Sequence, residues 1–164
     1  MTVAPKTIWF SFMGASLAIL AVAHGFEFLG ELGLCTLCFY QRIPYWLVAG
    51  LAFGALFFNG SPKANFSICL VFTLIFASGA ALSFYHVSVE QGWLVILEAC
   101  GNVKTSPSID ALRESLATAR IVRCDEVAWS FFGISLAGFN LLASCFLMAL
   151  AIVAANTLRK GPMS

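Results

Sequence analysis

Four long apolar runs decide what this chain can fold into. They cover about residues 8–29, 39–58, 66–87 and 127–155, and each reaches the roughly 20 residues that a helix needs to cross a bilayer. Backbone N–H and C=O groups meet no water in the hydrocarbon core, so only helices and closed barrels satisfy them. The sequence shows no alternating ten-residue barrel strands. We therefore predict an all-α integral membrane protein, a four-helix bundle forming one domain over residues 1–164.

The composition and the N-terminal segment agree with this class. Hydrophobic residues make up 60% of the chain and charged residues only 10%, against about 25% charged residues in an average soluble domain. A net charge of +1 without a basic tract gives no indication of nucleic-acid binding. Residues 21–23, Ala-Val-Ala, resemble a signal-peptide cleavage site. Because the apolar run continues past them to Leu29, we expect a retained first helix.

The acids and cysteines indicate which side of the membrane each connection faces. All eight acids lie in or beside the connections 30–37 and 88–126, whereas the nine Lys and Arg residues divide five to four between the two sides. Orientation follows Lys and Arg rather than acids, so the charges alone do not decide it. Four of the six cysteines also lie in or beside these two connections. Because disulfides persist on the oxidising side of a membrane, we predict periplasmic or equivalent loops there and cytoplasmic termini.

Two of these cysteines form a C-x-x-C motif in LCTLCFYQR, residues 34–42. A structural disulfide across so short a loop stabilises little. A zinc site would want a second closely spaced pair, but Cys100 and Cys124 have 23 residues between them. A redox-active pair fits best, because C-x-x-C is the usual setting for a tuned thiol. Cys35 and Cys38 are therefore candidate catalytic residues.

The position of Cys38 strengthens this interpretation. A helix that begins near residues 37–39 places Cys38 in its first turn, where free N–H groups and the helix dipole favour a thiolate. Arg42 follows four residues later on the same helix face, and its charge favours the thiolate further. Gln41 also reaches that side. An arginine at a membrane interface often only extends its head group towards water, but beside a first-turn cysteine we favour a functional role.

Cys100 and Cys124 bracket a polar segment of the second periplasmic loop. A Ser-Pro helix start at residues 106–107 and apolar residues at helical spacing over 109–119 predict a short amphipathic helix on the membrane surface. An ordinary packed loop helix is the alternative. Two cysteine pairs on one face suggest a relay by thiol–disulfide exchange, although four cysteines allow three connectivities. Without a dinucleotide or haem motif in the sequence, a lipid-soluble electron acceptor is the natural end of such a relay.

Three stretches resemble a known family: LCTLCFYQR, YHVSVEQGW (residues 85–93) and RCDEVAWSFFGISLAGFN (residues 123–140). Together they are similar to the motifs of the disulfide bond formation protein B family, DsbB, over nearly the whole chain. The resemblance implies a thiol:quinone oxidoreductase of the bacterial inner membrane that works as a monomer.

The resemblance also implies roles for the cysteines. A reduced DsbA-like thioredoxin-fold partner attacks a Cys100–Cys124 disulfide at Cys100, and Cys124 then exchanges with Cys35 of a Cys35–Cys38 disulfide. Cys38, beside Arg42, reduces bound ubiquinone or menaquinone.

Three further residues are candidates for assisting the quinone. Gln41 stands where some family members carry an acid. His86 and Glu90 are expected to help through hydrogen bonds or protons, and no metal is expected.

Other functions stay open at this point. A vitamin K epoxide reductase-like enzyme has similar thiol–quinone chemistry, but its C-x-x-C follows the loop pair instead of preceding it. A membrane protein that binds or senses metal through the loop cysteines is a second alternative. A structural membrane protein with loop disulfides is a third.

Overall fold

The computed structural model of the chain describes residues 4–29, 35–58, 60–94, 124, 127 and 129–159. Helix accounts for 81% of these residues, which agrees with the predicted all-α class. In chain order the elements are α1 (Pro5–Phe28), α2 (Thr36–Tyr40), α3 (Ile43–Leu56), α4 (Pro62–Glu90), β1 (Ser130–Phe131), β2 (Ile134–Ser135) and α5 (Leu136–Arg159).

Three of the described helices, α1, α4 and α5, are long and apolar enough to cross a membrane. Proline begins two of them: Pro5 in α1 and Pro62 in α4, where Ser61 caps the helix by accepting the backbone N–H of Ala64. The four-helix count stays a prediction. The amphipathic loop helix and Cys100 lie outside the described residues.

The second apolar segment differs from the continuous helix expected over residues 39–58. It divides into α2 and α3 at a turn formed by Gln41 and Arg42, and α3 has 14 residues. Pro44 explains the break, because it lacks an N–H and its ring clashes with the carbonyl group four residues earlier, at Tyr40. The turn therefore separates the short helix that carries Cys38 from the helix that continues into the bundle.

The fourth apolar segment also begins differently from the run over residues 127–155. A two-stranded hairpin pairs Ser130 with Ser135 and Phe131 with Ile134. Its two central residues have positive φ, 50° at Phe132 and 77° at Gly133, as a tight type I′ hairpin requires. The helix can start only after this hairpin, at Leu136.

The bundle core is aromatic, with α4 packed along α5 and α1 packed along α3. The ring of Phe72 meets Trp9 and Phe12 edge-on, with centroid distances of 5.8 and 5.3 Å. Gly79 leaves room for side chains of the neighbouring helices, because an added Cβ would lie 3.3 Å from Pro44 Cγ and 3.4 Å from Ser144 Oγ. Lipid tails are as apolar as these side chains, so shape complementarity holds the helices together.

Candidate functional site

The start of α2 is built around the C-x-x-C pair. Cys35 caps the helix, because its Sγ accepts the backbone N–H of Cys38 at 3.1 Å. Cys38 lies in the first turn, as predicted. The two Sγ atoms are 2.8 Å apart, with the Cys35 thiol donating to Cys38. From this separation, a small side-chain movement brings the sulfurs to the disulfide bond length of about 2.05 Å.

The hydrogen bond between the two sulfurs divides their chemistry. It is the largest cause that lowers the pKa of Cys38, and the charge of Arg42 lowers it to a smaller extent. The same bond, together with burial, raises the pKa of Cys35 to about 12. Of the two thiols in the reduced pair, Cys38 is therefore the one that loses its proton more easily. The sequence pointed to Arg42 and the helix start as the main causes, whereas the partner thiol comes first.

Cys124 lies against this pair although it is far away in the chain. It is buried in one cluster with Cys35 and Leu37, and Cys38 packs against that cluster. The structure thus brings together three of the four loop cysteines. Cys100 lies outside the described residues.

Arg42 is held by α1. Its Nη1 donates to Glu27 Oε2 at 2.6 Å, and its Nη2 donates to the carbonyl oxygen of Ala23 at 3.1 Å. The two charged side chains are only 13% and 22% exposed. Sequence reasoning did not single out Glu27 as a site residue. The available signal was an acid near the end of an otherwise apolar run.

A cavity of about 390 Å³ lies between α1, the α2–α3 turn and the start of α5. Five residues with polar side chains line it: Cys38, Gln41, Arg42, Tyr45 and Asn140. The rest of its wall is apolar and consists of Ala18, Ile19, Leu20, Val22, Ala23, Leu136, Ala137, Phe139 and Ala143. A mostly apolar cavity with a few convergent polar groups is the usual form of a small-molecule site.

A buried hydrogen-bond network continues from the cavity wall. Asn140 Nδ2 donates to Gln41 Oε1 at 3.0 Å and to Ser83 Oγ at 2.8 Å, and Tyr45 Oη donates to Asn140 Oδ1 at 2.6 Å. The sequence analysis did not select Asn140 or Ser83. The sequence could have indicated both, because each is a polar residue within an apolar segment and such residues usually face the bundle interior.

His86 connects this network to the cysteines. Its Nδ1 lies 2.9 Å from Gln41 Nε2, and its Nε2 lies 3.7 Å from Cys35 Sγ. Glu90, one turn further along α4, places Oε1 3.8 Å from the same Nε2, and Ser135 donates to its other oxygen. The candidate residues Gln41, His86 and Glu90 therefore lie together around the C-x-x-C pair.

These features define a helical membrane protein with a thiol pair beside a cavity between its helices. The family described as Disulfide bond formation protein DsbB matches residues 5–154. A Disulfide bond formation protein B from Marinobacter nauticus is 31% identical over 142 residues, which cover 82% of this chain and 82% of the relative. The chain belongs to the DsbB family, as the sequence motifs predicted, and is a disulfide-forming membrane oxidoreductase.

Other relatives agree in length and similarity. A Disulfide bond formation protein B from Methylococcus capsulatus is 31% identical over 140 residues, covering 79% of this chain and 80% of the relative. An uncharacterised protein from Rickettsia prowazekii is 28% identical over 142 residues, covering 84% and 81%. No solved structure matches the chain.

Proposed function

We propose that this protein reoxidises a periplasmic DsbA-like thioredoxin-fold thiol oxidase and passes the electrons to a membrane quinone. Two thiols of the partner become a disulfide, and two electrons and two protons go to the quinone. We place the C-x-x-C end of the bundle on the periplasmic side of a bacterial inner membrane, with both termini in the cytoplasm.

The contact of Cys124 with the C-x-x-C pair supports the relay between the two cysteine pairs. The partner's thiolate attacks Cys100 of the Cys100–Cys124 disulfide and releases Cys124 as a thiolate. Cys124 then attacks Cys35, and the Cys35–Cys38 bond breaks. Each step breaks one S–S bond and forms another, so the number of disulfides is conserved as the oxidised state passes between the cysteines.

Cys38 is suited to be the sulfur that leaves. A thiol of lower pKa leaves faster in thiol–disulfide exchange. While Cys35 is bonded to Cys124 it has no proton to donate, but the Arg42 charge still lowers the pKa of Cys38. The negative charge that the exchange releases therefore collects on Cys38.

The cavity beside Cys38 has the chemistry that a quinone needs. Apolar residues of α1 and α5 suit a flat ring and the first part of an isoprenoid tail, and Arg42 and Gln41 offer donors to the ring oxygens. A quinone bound there accepts two electrons and two protons. Glu27 and the Ala23 carbonyl keep the Arg42 guanidinium at the cavity wall.

One observation carries the proposal: Cys38 borders both the buried cysteine cluster and the apolar cavity. A group in that position can receive charge from one side and pass it to the other.

The direct test uses purified protein with a short-chain ubiquinone and a reduced thioredoxin-fold partner. We expect Cys38→Ser to abolish quinone reduction. Cys145→Ala, which removes an exposed cysteine from α5, is the matched control and should keep the wild-type rate. Normal quinone reduction by Cys38→Ser would rule out this route.

The partner can be trapped through Cys100. In Cys124→Ser the Cys100 thiolate can attack the disulfide of the oxidised partner and release one partner thiol. No Cys124 sulfur is then present to expel the partner, so a mixed disulfide with Cys100 should accumulate in cells. Mass spectrometry identifies the bound protein. A Cys124→Ser variant that accumulates no Cys100-linked species would argue against the proposed entry point.

Orientation has its own test. Lys63 is exposed at the start of α4, so Lys63→Cys should react with a membrane-impermeant maleimide only after the inner membrane is permeabilised. Labelling in intact spheroplasts would reverse the proposed orientation.

Metal binding is the second candidate function, because the ligand atoms of Cys35, Cys38 and His86 all lie within 4.8 Å of one another. Two thiolates on one zinc ion lie roughly 3.8 Å apart, given Zn–S bonds of about 2.3 Å in tetrahedral geometry. The 2.8 Å between the two sulfurs suits exchange better. Stoichiometric tight zinc in the anaerobically reduced protein would favour the metal function instead.

A further inference from the structure

The hydrogen bonds around Asn140 fix which way its amide group points. Ser83 donates its only hydroxyl hydrogen to the Gly79 carbonyl at 2.8 Å, so it can only accept from Asn140. Tyr45 donates its hydroxyl hydrogen to Asn140 Oδ1. The Nδ2 group of Asn140 therefore faces Ser83 and Gln41, and its second hydrogen goes to Gln41 Oε1.

The orientation of Gln41 follows from that of Asn140. Because Gln41 Oε1 accepts from Asn140, its Nε2 is the atom that faces His86 Nδ1 at 2.9 Å. An amide NH₂ group only donates, so Nδ1 accepts. In the neutral imidazole the proton must then sit on Nε2.

His86 Nε2 faces two acceptors. Cys35 Sγ lies 3.7 Å away and Glu90 Oε1 lies 3.8 Å away. The chain of donors thus runs in one direction, from Tyr45 through Asn140 and Gln41 to His86. It ends at the Cys35 sulfur, which also accepts the backbone N–H of Cys38.

We propose that Gln41 and Asn140 are positioning residues that hold His86 in the Nε2–H tautomer, so that the Cys35 sulfur always faces a donor. Gln41 and His86 are only 5% and 3% exposed, so water competes little for the bond between them, and Asn140 is half-buried. His86 then acts on Cys35 as a hydrogen-bond donor and not as a base. This inference rests on the proposed function for the role of Cys35, whose sulfur is the one that Cys124 attacks.

The chain supplies its own reference for the test. It contains two histidines, and the other one, His24, places Nδ1 2.8 Å from the Leu20 carbonyl oxygen. A carbonyl only accepts, so His24 carries its proton on Nδ1. The two imidazoles are expected in opposite tautomers, which ¹⁵N chemical shifts distinguish.

The experiment uses reduced, ¹⁵N-histidine-labelled full-length protein in detergent micelles, at about pH 8.5, where an ordinary imidazole is neutral. Neither quinone nor partner is added. His24→Gln assigns the signals. We expect the wild-type protein to show one Nδ1–H histidine, His24, and one Nε2–H histidine, His86.

Two variants should reverse the His86 tautomer. In Asn140→Asp the carboxylate cannot donate to Gln41, so the Gln41 amide turns over and presents its oxygen to His86 Nδ1, which must then carry the proton. Gln41→Glu presents a carboxylate oxygen to Nδ1 directly. The matched control is Ser144→Ala, because Ser144 contacts the same Tyr45 hydroxyl at 2.8 Å but orients no amide.

The proposal is overturned if wild-type His86 carries its proton on Nδ1, or if the tautomer is unchanged in both Asn140→Asp and Gln41→Glu. Gln41→Glu decides the question alone if Asn140→Asp does not fold, and unchanged His24 signals report folding. Loss of the donor to the Cys35 sulfur should also slow quinone-coupled turnover of Asn140→Asp roughly tenfold. If the wild-type protein reduces no quinone, the proposed function fails while the tautomer result stands.

Discussion

Replacing Cys35 tests what makes Cys38 a thiolate. The Cys35 thiol donates to Cys38 across 2.8 Å, and this bond is the largest cause that lowers the pKa of Cys38. Cys35→Ala removes the donor. Cys35→Ser keeps a hydroxyl donor in the same place and is the matched control, since neither variant can form the disulfide.

The size of the effect follows from the kind of bond. A hydrogen bond to a charged group contributes about 1.5–3 kcal/mol, and about 1.36 kcal/mol corresponds to one pKa unit. We therefore expect Cys35→Ala to raise the pKa of Cys38 by roughly one to two units relative to Cys35→Ser.

The assay is the rate of Cys38 alkylation by iodoacetamide, followed by peptide mass spectrometry as a function of pH. Only the thiolate reacts. Because the folded protein lowers the pKa of Cys38, the thiolate and its reactivity persist below the usual titration range and are lost as the pH falls through the lowered value. In Cys35→Ala this loss should begin at higher pH.

Two results would refute the reasoning. One is an identical Cys38 profile in Cys35→Ala and Cys35→Ser. The other is a larger shift in Arg42→Gln than in Cys35→Ala, which would make the guanidinium charge the main cause.

Three further outcomes test the cavity and the core. Arg42→Gln should raise the quinone KM about tenfold, from the loss of a charge-assisted bond, and an unchanged KM in steady-state kinetics would remove Arg42 from the quinone site. Phe72→Ala should lower the free energy of unfolding in mixed micelles by about 2 kcal/mol. This loss is smaller than in a water-soluble core, because a side chain gains little solvation free energy on moving from lipid into the protein interior. Gly79→Val should lower the thermal unfolding midpoint of the purified protein, because the new Cβ would lie 3.3 Å from Pro44 and 3.4 Å from Ser144. An unaltered midpoint would mean that the helices can separate there freely.

The sequence alone determined the class of the protein and the centre of its site. Apolar runs long enough to span a bilayer allow little but helices, and this follows from composition and length without any knowledge of packing. The C-x-x-C spacing similarly places Cys38 within one helical turn of Cys35. Both are local properties, so they can be read directly from residues that are near in the chain.

The partners of these cysteines were decided by tertiary structure. Glu27 holds Arg42 from another helix, and Asn140 orients Gln41 from a third, and no spacing in the sequence relates residues so far apart. The break at the Gln41–Arg42 turn had a local cause in Pro44, yet only the folded chain shows that it brings both side chains to the cavity wall.

The different properties of the two thiols depend on both the sequence and the tertiary structure. Their proximity comes from the motif, but burial and the neighbours of each sulfur set the difference in pKa. Hydrogen bonds and burial depend on which groups surround an atom in space, and here those groups come from α2, the turn at Arg42, α4 and Cys124. For that reason the sequence pointed to the candidate reactive residues, whereas the packing of the helices raises the pKa of Cys35 and lowers that of Cys38.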